Sequence, residues 1–216
     1  MEYKTVSLAD QIYEQLENHI ITGVYPRGEI ITEMKLVEQL GVSRTPIREA
    51  LRRLEQERLI KDTGKGSIVL GITLEDMIDI MNIRQRMEGL AAYYATKNMT
   101  AEGLEKLRQL NDLQDFYYTR KDAARQSQMD DLFHDTIYEL SQRTIIRDTL
   151  QPLHRKTMRY RKISLEDPAR LGLSIQEHKD IFNAMAAGNA ELAEELTVQH
   201  IINAKNSMMT RLKNNG

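Results

Sequence analysis

The chain has 216 residues, 30 Lys and Arg against 32 Asp and Glu, and a formal net charge of -2 at pH 7. That balance excludes the basic coat of a histone-like or ribosomal protein but leaves room for a local basic patch. The absence of cysteine removes disulfides, thiolate metal sites and cysteine nucleophiles, and no apolar run nears the roughly 20 residues of a membrane span, so a cytoplasmic protein without a signal peptide is expected.

Ser7 is placed to cap a first helix with Leu8, Ile12, Leu16 and Ile20 inward and Gly23 as its stop. After a turn at Tyr25-Pro26-Arg27-Gly28, Thr32 caps a short helix with Leu36, Val37 and Leu40 inward. That helix ends at Gly41, which supplies the left-handed residue of a sharp exit. Ser43-Arg44-Thr45-Pro46 opens a third helix, capped by either Ser43 or Thr45, with proline in the first turn where a missing N–H loses no partner. Ile47, Ala50, Leu51 and Leu54 recur at i, i+3, i+4 and i+7 as its buried face, with Thr45, Arg48 and Arg52 roughly opposite and Arg44 near the N-terminal end.

On pattern alone an arginine face opposite a core stripe fits plain solvation as well as ligand binding. Two helices joined by a short glycine turn, however, are the helix-turn-helix, whose second helix offers its N-terminal residues to base edges. Charge supports the second reading. Residues 1–42 carry three Lys/Arg against seven Asp/Glu, whereas residues 43–65 carry seven against four. Positive charge is therefore concentrated where a phosphate backbone would lie. Leu59–Lys61 and Ser67–Leu70 are read as strands around Thr63-Gly64-Lys65-Gly66, and a helix-turn-helix followed by a hairpin is a winged helix.

Six of the eleven glycines and two of the four prolines fall within the first 71 residues. Beyond them the chain shows helical Leu/Ile/Met/Ala periodicity, with a border near Leu70–Thr73, where Thr73 is a candidate cap. The expectation is a mainly α protein: residues 1–72 a winged helix-turn-helix, residues 73–216 an antiparallel helical bundle. Six helices are expected near 74–97, 101–119, 121–141, 145–162, 174–187 and 190–212, with Ser174-Ile175-Gln176-Glu177 as a capping box for the fifth. Asp130 and His134 stand at i, i+4 on one face; His178 and His200 fall on the inward stripes of their helices. Buried imidazoles and a carboxylate need hydrogen-bond partners or a metal ion. Singly, each histidine is more often a satisfied core residue than a ligand.

The run from Gly41 to Leu54 and the segment Ile21–Gly28 resemble the signature of the GntR family of bacterial transcription regulators. The resemblance implies DNA contacts from Arg44 and Arg48, assisted by Thr45 and, in the wing, Lys65 and Gly66; Arg52, on the same face of the third helix, is a further DNA-contact candidate. Arginine bidentate to guanine is the expected physical basis. Two positions depart from the pattern: Met34 stands where some relatives have arginine, and Arg58 where the family usually has glycine. Arg58 is read as solvated in preference to a phosphate contact.

The downstream pattern, Asp-x3-His followed by one histidine on each of two later helices, resembles the FCD effector domain of the FadR subfamily. That resemblance implies a divalent metal, zinc or nickel, held by Asp130, His134, His178 and His200, with a small carboxylate effector beside it. Arg84, in the matching Arg84-x3-Glu88, and Arg159 are the candidate effector cations. His19 and His154 match nothing and are set aside. The expected protein is a homodimeric repressor on a palindromic operator; the rival reading is a metal-dependent hydrolase using the Asp/His cluster.

Overall fold

A computed structural model describes residues 7–158 and 168–214. The chain divides into two compact units, Met1–Leu74 and Glu75–Gly216. In the first, α1 (Leu8–Thr22), β1 (Ile30–Ile31), α2 (Glu33–Leu40), α3 (Arg44–Gln56), β2 (Ile60–Asp62) and β3 (Ser67–Val69) follow in order. Ser7 and Asp10 cap α1 reciprocally, and Gly23 ends it at φ 82°. Thr32 caps α2 through the Lys35 amide, and Gly41 closes it at φ 65°. Ser43 occupies the cap position of α3 but its side chain makes no capping bond.

Ile12, Leu16, Ile20, Leu36, Ile47, Ala50, Leu51 and Leu54 share one core with Ile31, Leu59, Ile60 and Val69. Leu8, expected inward, is exposed; the reciprocal cap turns the first residue of the helix to solvent. The sheet runs β1-β3-β2, antiparallel throughout. Its two-residue β1 is the strand the sequence did not suggest, and Ile30 pairs with Ile68 in it.

The second unit contains α4 (Leu74–Lys97), α5 (Ala101–Thr119), α6 (Ala123–Leu140), α7 (Thr144–Lys156), α8 (Pro168–Ala186) and α9 (Ala190–Asn214). α5 packs on α6 and α8, α6 on α7, and α8 on α9. Ala91, Ala92 and Ala95 of α4 share one buried core with Leu107, Phe133, Ile137, Leu150, Ile181 and Met185. α8 starts six residues before the expected position. Pro168 opens it, as a first-turn proline can, and Ser174 is buried inside the helix, so it is no cap. Glu177 turns instead to Arg170 and His200. Among the described residues no helix is long and apolar enough to cross a membrane.

Candidate nucleic-acid interface and metal centre

The glycine turn at Gly41 and the 13 residues of α3 put Arg44, Thr45, Arg48 and Arg52 on the exposed face, because Ile47, Ala50, Leu51 and Leu54 are committed to the core. Arg48, Arg52, Lys65 and Gly66 line one groove of about 580 Å³, whose wall also includes Met34. Arg44 and Thr45 open α3 in its exposed first turn and are not among the groove residues. Arg48 Nε donates to both carboxylate oxygens of Glu33, each at 2.9 Å. This contact lies at the surface, with 63% of the Arg48 side chain accessible, so the guanidinium is not locked inside.

The wing tip is built by local bonds. The Thr63 amide and hydroxyl donate to the Gly66 carbonyl at 2.9 and 2.6 Å, and the Gly64 amide donates to Asp62 at 2.8 Å, leaving Lys65 exposed. Gly66 is needed for packing: at φ 139° a Cβ there would lie 2.9 Å from Ile30 Cγ2 and 3.0 Å from the Ile31 carbonyl. Arg58 adopts φ 59°, a left-handed conformation that accounts for a glycine preference at this position; its side chain is exposed.

In the helical unit, His134 of α6, His178 of α8 and His200 of α9 bring one ring nitrogen each to within 4.8 Å of one another. His178 Nε2 and His200 Nε2 stand 3.4 Å apart. Asp130 lies beside them, its Oδ1 3.7 Å from His178 Nε2. All four side chains are buried. The remaining ring nitrogens are occupied from three directions: His134 Nδ1 is 2.9 Å from Glu88 Oε2, His178 Nδ1 2.8 Å from Gln114 Oε1, and His200 Nδ1 2.7 Å from Glu177 Oε2. Such partners fix tautomer and ring orientation in metal sites. Phe133 stacks on His178 with centroids 4.4 Å apart.

Burial pushes the His200 imidazole down to about 4, against the opposing bond from Glu177, so at neutral pH it is in the unprotonated form that ligates a metal. Burial alone would raise the Glu88 carboxyl, but Arg84 and His134 outweigh it and hold Glu88 well below the usual carboxylate range. Three imidazoles with a neighbouring carboxylate form a donor set suited to a borderline divalent transition ion, and the buried cluster can hold one.

The other sequence candidates divide. Arg84 is 3% exposed and bonded to Glu88 at 2.5 Å and Thr157 at 3.2 Å, a buried ion pair. Arg159 lies outside the described residues. His154, set aside on sequence grounds, is buried with its ring centroid 4.9 Å from that of His134 and its Nε2 2.9 Å from Asp131. Glu88, His134 and His154 also bring ligand atoms within 4.8 Å of one another. Gln114 and Glu177 were missed because each comes from a different helix from the imidazole it supports, and no spacing within one segment reports that.

The fold thus defines a two-part regulator, a winged helix followed by a helical domain with a buried histidine centre. Residues 8–69 match the bacterial regulatory proteins of the gntR family and residues 79–203 match the FCD domain. The chain belongs to the GntR family of transcriptional regulators with a C-terminal FCD domain, the FadR type. It is 28% identical over 192 residues to the HTH-type transcriptional regulator YdhC of Bacillus subtilis, covering 88% of this chain and 86% of that protein. It is 26% identical over 198 residues to the HTH-type transcriptional repressor RspR of Escherichia coli, covering 91% and 87%. The solved structure of E. coli McbR/YncC has the same fold, with a TM-score of 0.81 at 23% identity over 96% of this chain and 100% of that one. The family is one of transcriptional regulators, so the hydrolase reading falls: an enzyme would leave the winged helix without a role.

Proposed function

We propose that this protein is a cytoplasmic repressor that binds a palindromic operator as a homodimer and responds to a small organic acid at a zinc- or nickel-bearing centre in its helical domain. The observation that carries the reading is the pairing of two features: exposed Arg44, Arg48, Arg52 and Lys65 on one winged helix, and buried, outward-braced His134, His178 and His200 on one bundle. Residues 1–72 are the DNA-reading domain in this proposal, and residues 73–216 carry effector binding and dimerisation.

Arg44 and Arg48 read base edges, Thr45 and Arg52 hold the helix to the flanking phosphates, and Lys65 with Gly66 brings the wing to the adjacent groove. Arg48 exchanges its surface contact with Glu33 for DNA, an exchange made easy by solvent screening of that pair. Two copies are needed because one winged helix reads too few bases, and a two-fold protein suits a two-fold operator. In the helical domain His134, His178 and His200, with Asp130, would hold the ion, which offers a Lewis-acid position for a carboxylate. Arg84, already neutralised by Glu88, would share its guanidinium with that carboxylate; Arg159 is the second cation proposed. The effector releases DNA only to the extent that it binds the two states of the dimer differently.

Arg48→Ala tests the DNA half. Operator affinity, measured by fluorescence anisotropy beside a scrambled duplex, is expected to fall by about 1–3 kcal/mol on the operator, with less change on the scrambled sequence. Equal affinity of variant and parent for the operator removes Arg48 from base reading.

A further inference from the structure

Glu88 is a carboxylate placed between a buried arginine of the helical domain and a ligand-type histidine. Its Oε1 accepts from Arg84 Nε at 2.5 Å, and its Oε2 lies 2.9 Å from His134 Nδ1. Arg84 is anchored at its other side by the Thr157 hydroxyl, 3.2 Å from Nη1, just beyond the end of α7. The three groups Arg84, Glu88 and His134 are buried, at 3%, 1% and 3% exposure. One oxygen of Glu88 is thus bonded to a cation and the other stands beside a ring nitrogen. With Nδ1 facing Glu88, Nε2 is the nitrogen His134 has to offer the centre formed with His178 and His200.

We infer that Glu88 is a positioning residue for the metal centre: it fixes the tautomer and aim of His134, and Arg84 fixes Glu88. The inference rests on the metal reading given above and assigns a task to two residues that do not themselves touch an ion. It follows from reach. A half-turn flip of the His134 ring about Cβ–Cγ would otherwise put Cδ2 in the place of Nδ1 and Cε1 in the place of Nε2, and an acceptor fixed beside Nδ1 selects one orientation together with the Nδ1–H tautomer. Gln114 and Glu177 stand in the same relation to His178 and His200, and Glu177 is likewise held by a buried cation, Arg170. Arg84 and Glu88, one helical turn apart on α4, thus tie that helix to α6 through the imidazole and to the α7 terminus through Thr157.

The alternative is that Arg84 and Glu88 are merely a buried ion pair that stabilises the bundle. Removing one partner of such a pair is strongly destabilising, whereas replacing both with apolar or neutral groups of similar volume is often neutral. That difference separates the two roles. Full-length Glu88→Leu, which removes the acceptor, and the double variant Arg84→Met with Glu88→Leu are compared with the parent for thermal stability and for Co²⁺ affinity, the latter by competition with a chromophoric chelator and by the visible ligand-field spectrum. Expected is a 10- to 100-fold loss of Co²⁺ affinity in both variants, the size found for outer partners of metal ligands, with an altered spectrum. The double variant is expected to regain stability while its Co²⁺ affinity stays low. A double variant that regains stability and parental Co²⁺ affinity together overturns the positioning role and leaves the pair structural. Glu88→Leu within twofold of the parent in affinity also overturns it. A parent protein that takes up no Co²⁺ sinks the metal reading, and this inference with it; a loss confined to the variants sustains both.

Discussion

Removing one imidazole from the buried trio tests the metal centre most directly, and the size of the effect follows from mass action. An ion that binds the folded protein and not the unfolded chain stabilises it by about 2.7 kcal/mol when free metal stands at 100 times its dissociation constant. The FCD unit runs from Glu75 to Gly216, and unfolding entropy near 2.1 cal/mol/K per residue gives that length roughly 0.3 kcal/mol/K, so the same ion raises its melting temperature by about 9 °C. His178→Ala withdraws the ring that stands 3.4 Å from His200 Nε2 and leaves Gln114 Oε1 without its 2.8 Å partner. The variant is therefore less stable even without metal, and the informative quantity is the increment on adding zinc, not the absolute midpoint. Calorimetry of chelator-treated protein, titrated with Zn²⁺ or Ni²⁺, is expected to show the rise in the parent and a flat response in His178→Ala. An equal rise in both places the ion elsewhere, and the centre at His134, His178 and His200 is then wrong.

Two further outcomes follow from burial. Leu54→Ala, at a fully buried position shared by α1, α3 and the sheet, is expected to destabilise the N-terminal unit by about 2–5 kcal/mol, measured by urea unfolding, while leaving Zn²⁺ uptake by the helical unit intact. In chelator-treated protein the His200 imidazole sits near 4, lowered by burial, against roughly 6.5 in an unfolded chain. Between those values the unfolded chain takes up a proton that the native state refuses. Stability is thus expected to be level above pH 7 and to fall by on the order of 3 kcal/mol as pH drops from about 6.5 to about 4; His200→Gln should flatten that slope, and an unchanged slope assigns it to other groups.

Helix caps and core stripes were readable because both are local: the Ser7 and Thr32 caps and the Ile47–Leu54 stripe involve residues three or four apart. The strand Ile30–Ile31 was not readable, since two residues carry no period and their extended form is set by pairing with Ile68 and Ser67. At Ser174 the local pattern misled. Serine followed three positions later by glutamate is a valid cap signal, yet here Arg170 and His200 compete for Glu177 and the helix continues upstream to Pro168. The four-residue ligand pattern Asp130, His134, His178 and His200 came from matching spacing to a family, and the structure brings these residues together. Their supporting partners did not come that way. Glu88, Gln114 and Glu177 reach the imidazoles from α4, α5 and α8, and only tertiary packing decides such meetings. His154 was dismissed for matching no pattern, although the fold buries it against the same cluster.

Arg58 joins the two kinds of evidence at a single residue. Its φ of 59° puts a Cβ in the left-handed region, at a cost of roughly 1–2 kcal/mol for a non-glycine residue. Glycine relieves that strain but loses more chain entropy on folding, roughly 0.5–1 kcal/mol, so Arg58→Gly is expected to stabilise the N-terminal unit by about 0.5–1 kcal/mol. The side chain is exposed at the junction between α3 and β2, which leaves its retention as arginine to be explained by contact with DNA or by nothing at all. Salt titration of operator binding separates the two. A phosphate contact contributes close to one unit of slope in log affinity against log salt, so loss of about 0.9 of that slope in Arg58→Gly makes the arginine a backbone clamp whose strain is the companion of binding. A slope unchanged beside a gain in stability leaves Arg58 a solvated residue in a glycine position, and the DNA surface then rests on Arg44, Thr45, Arg48, Arg52 and the wing.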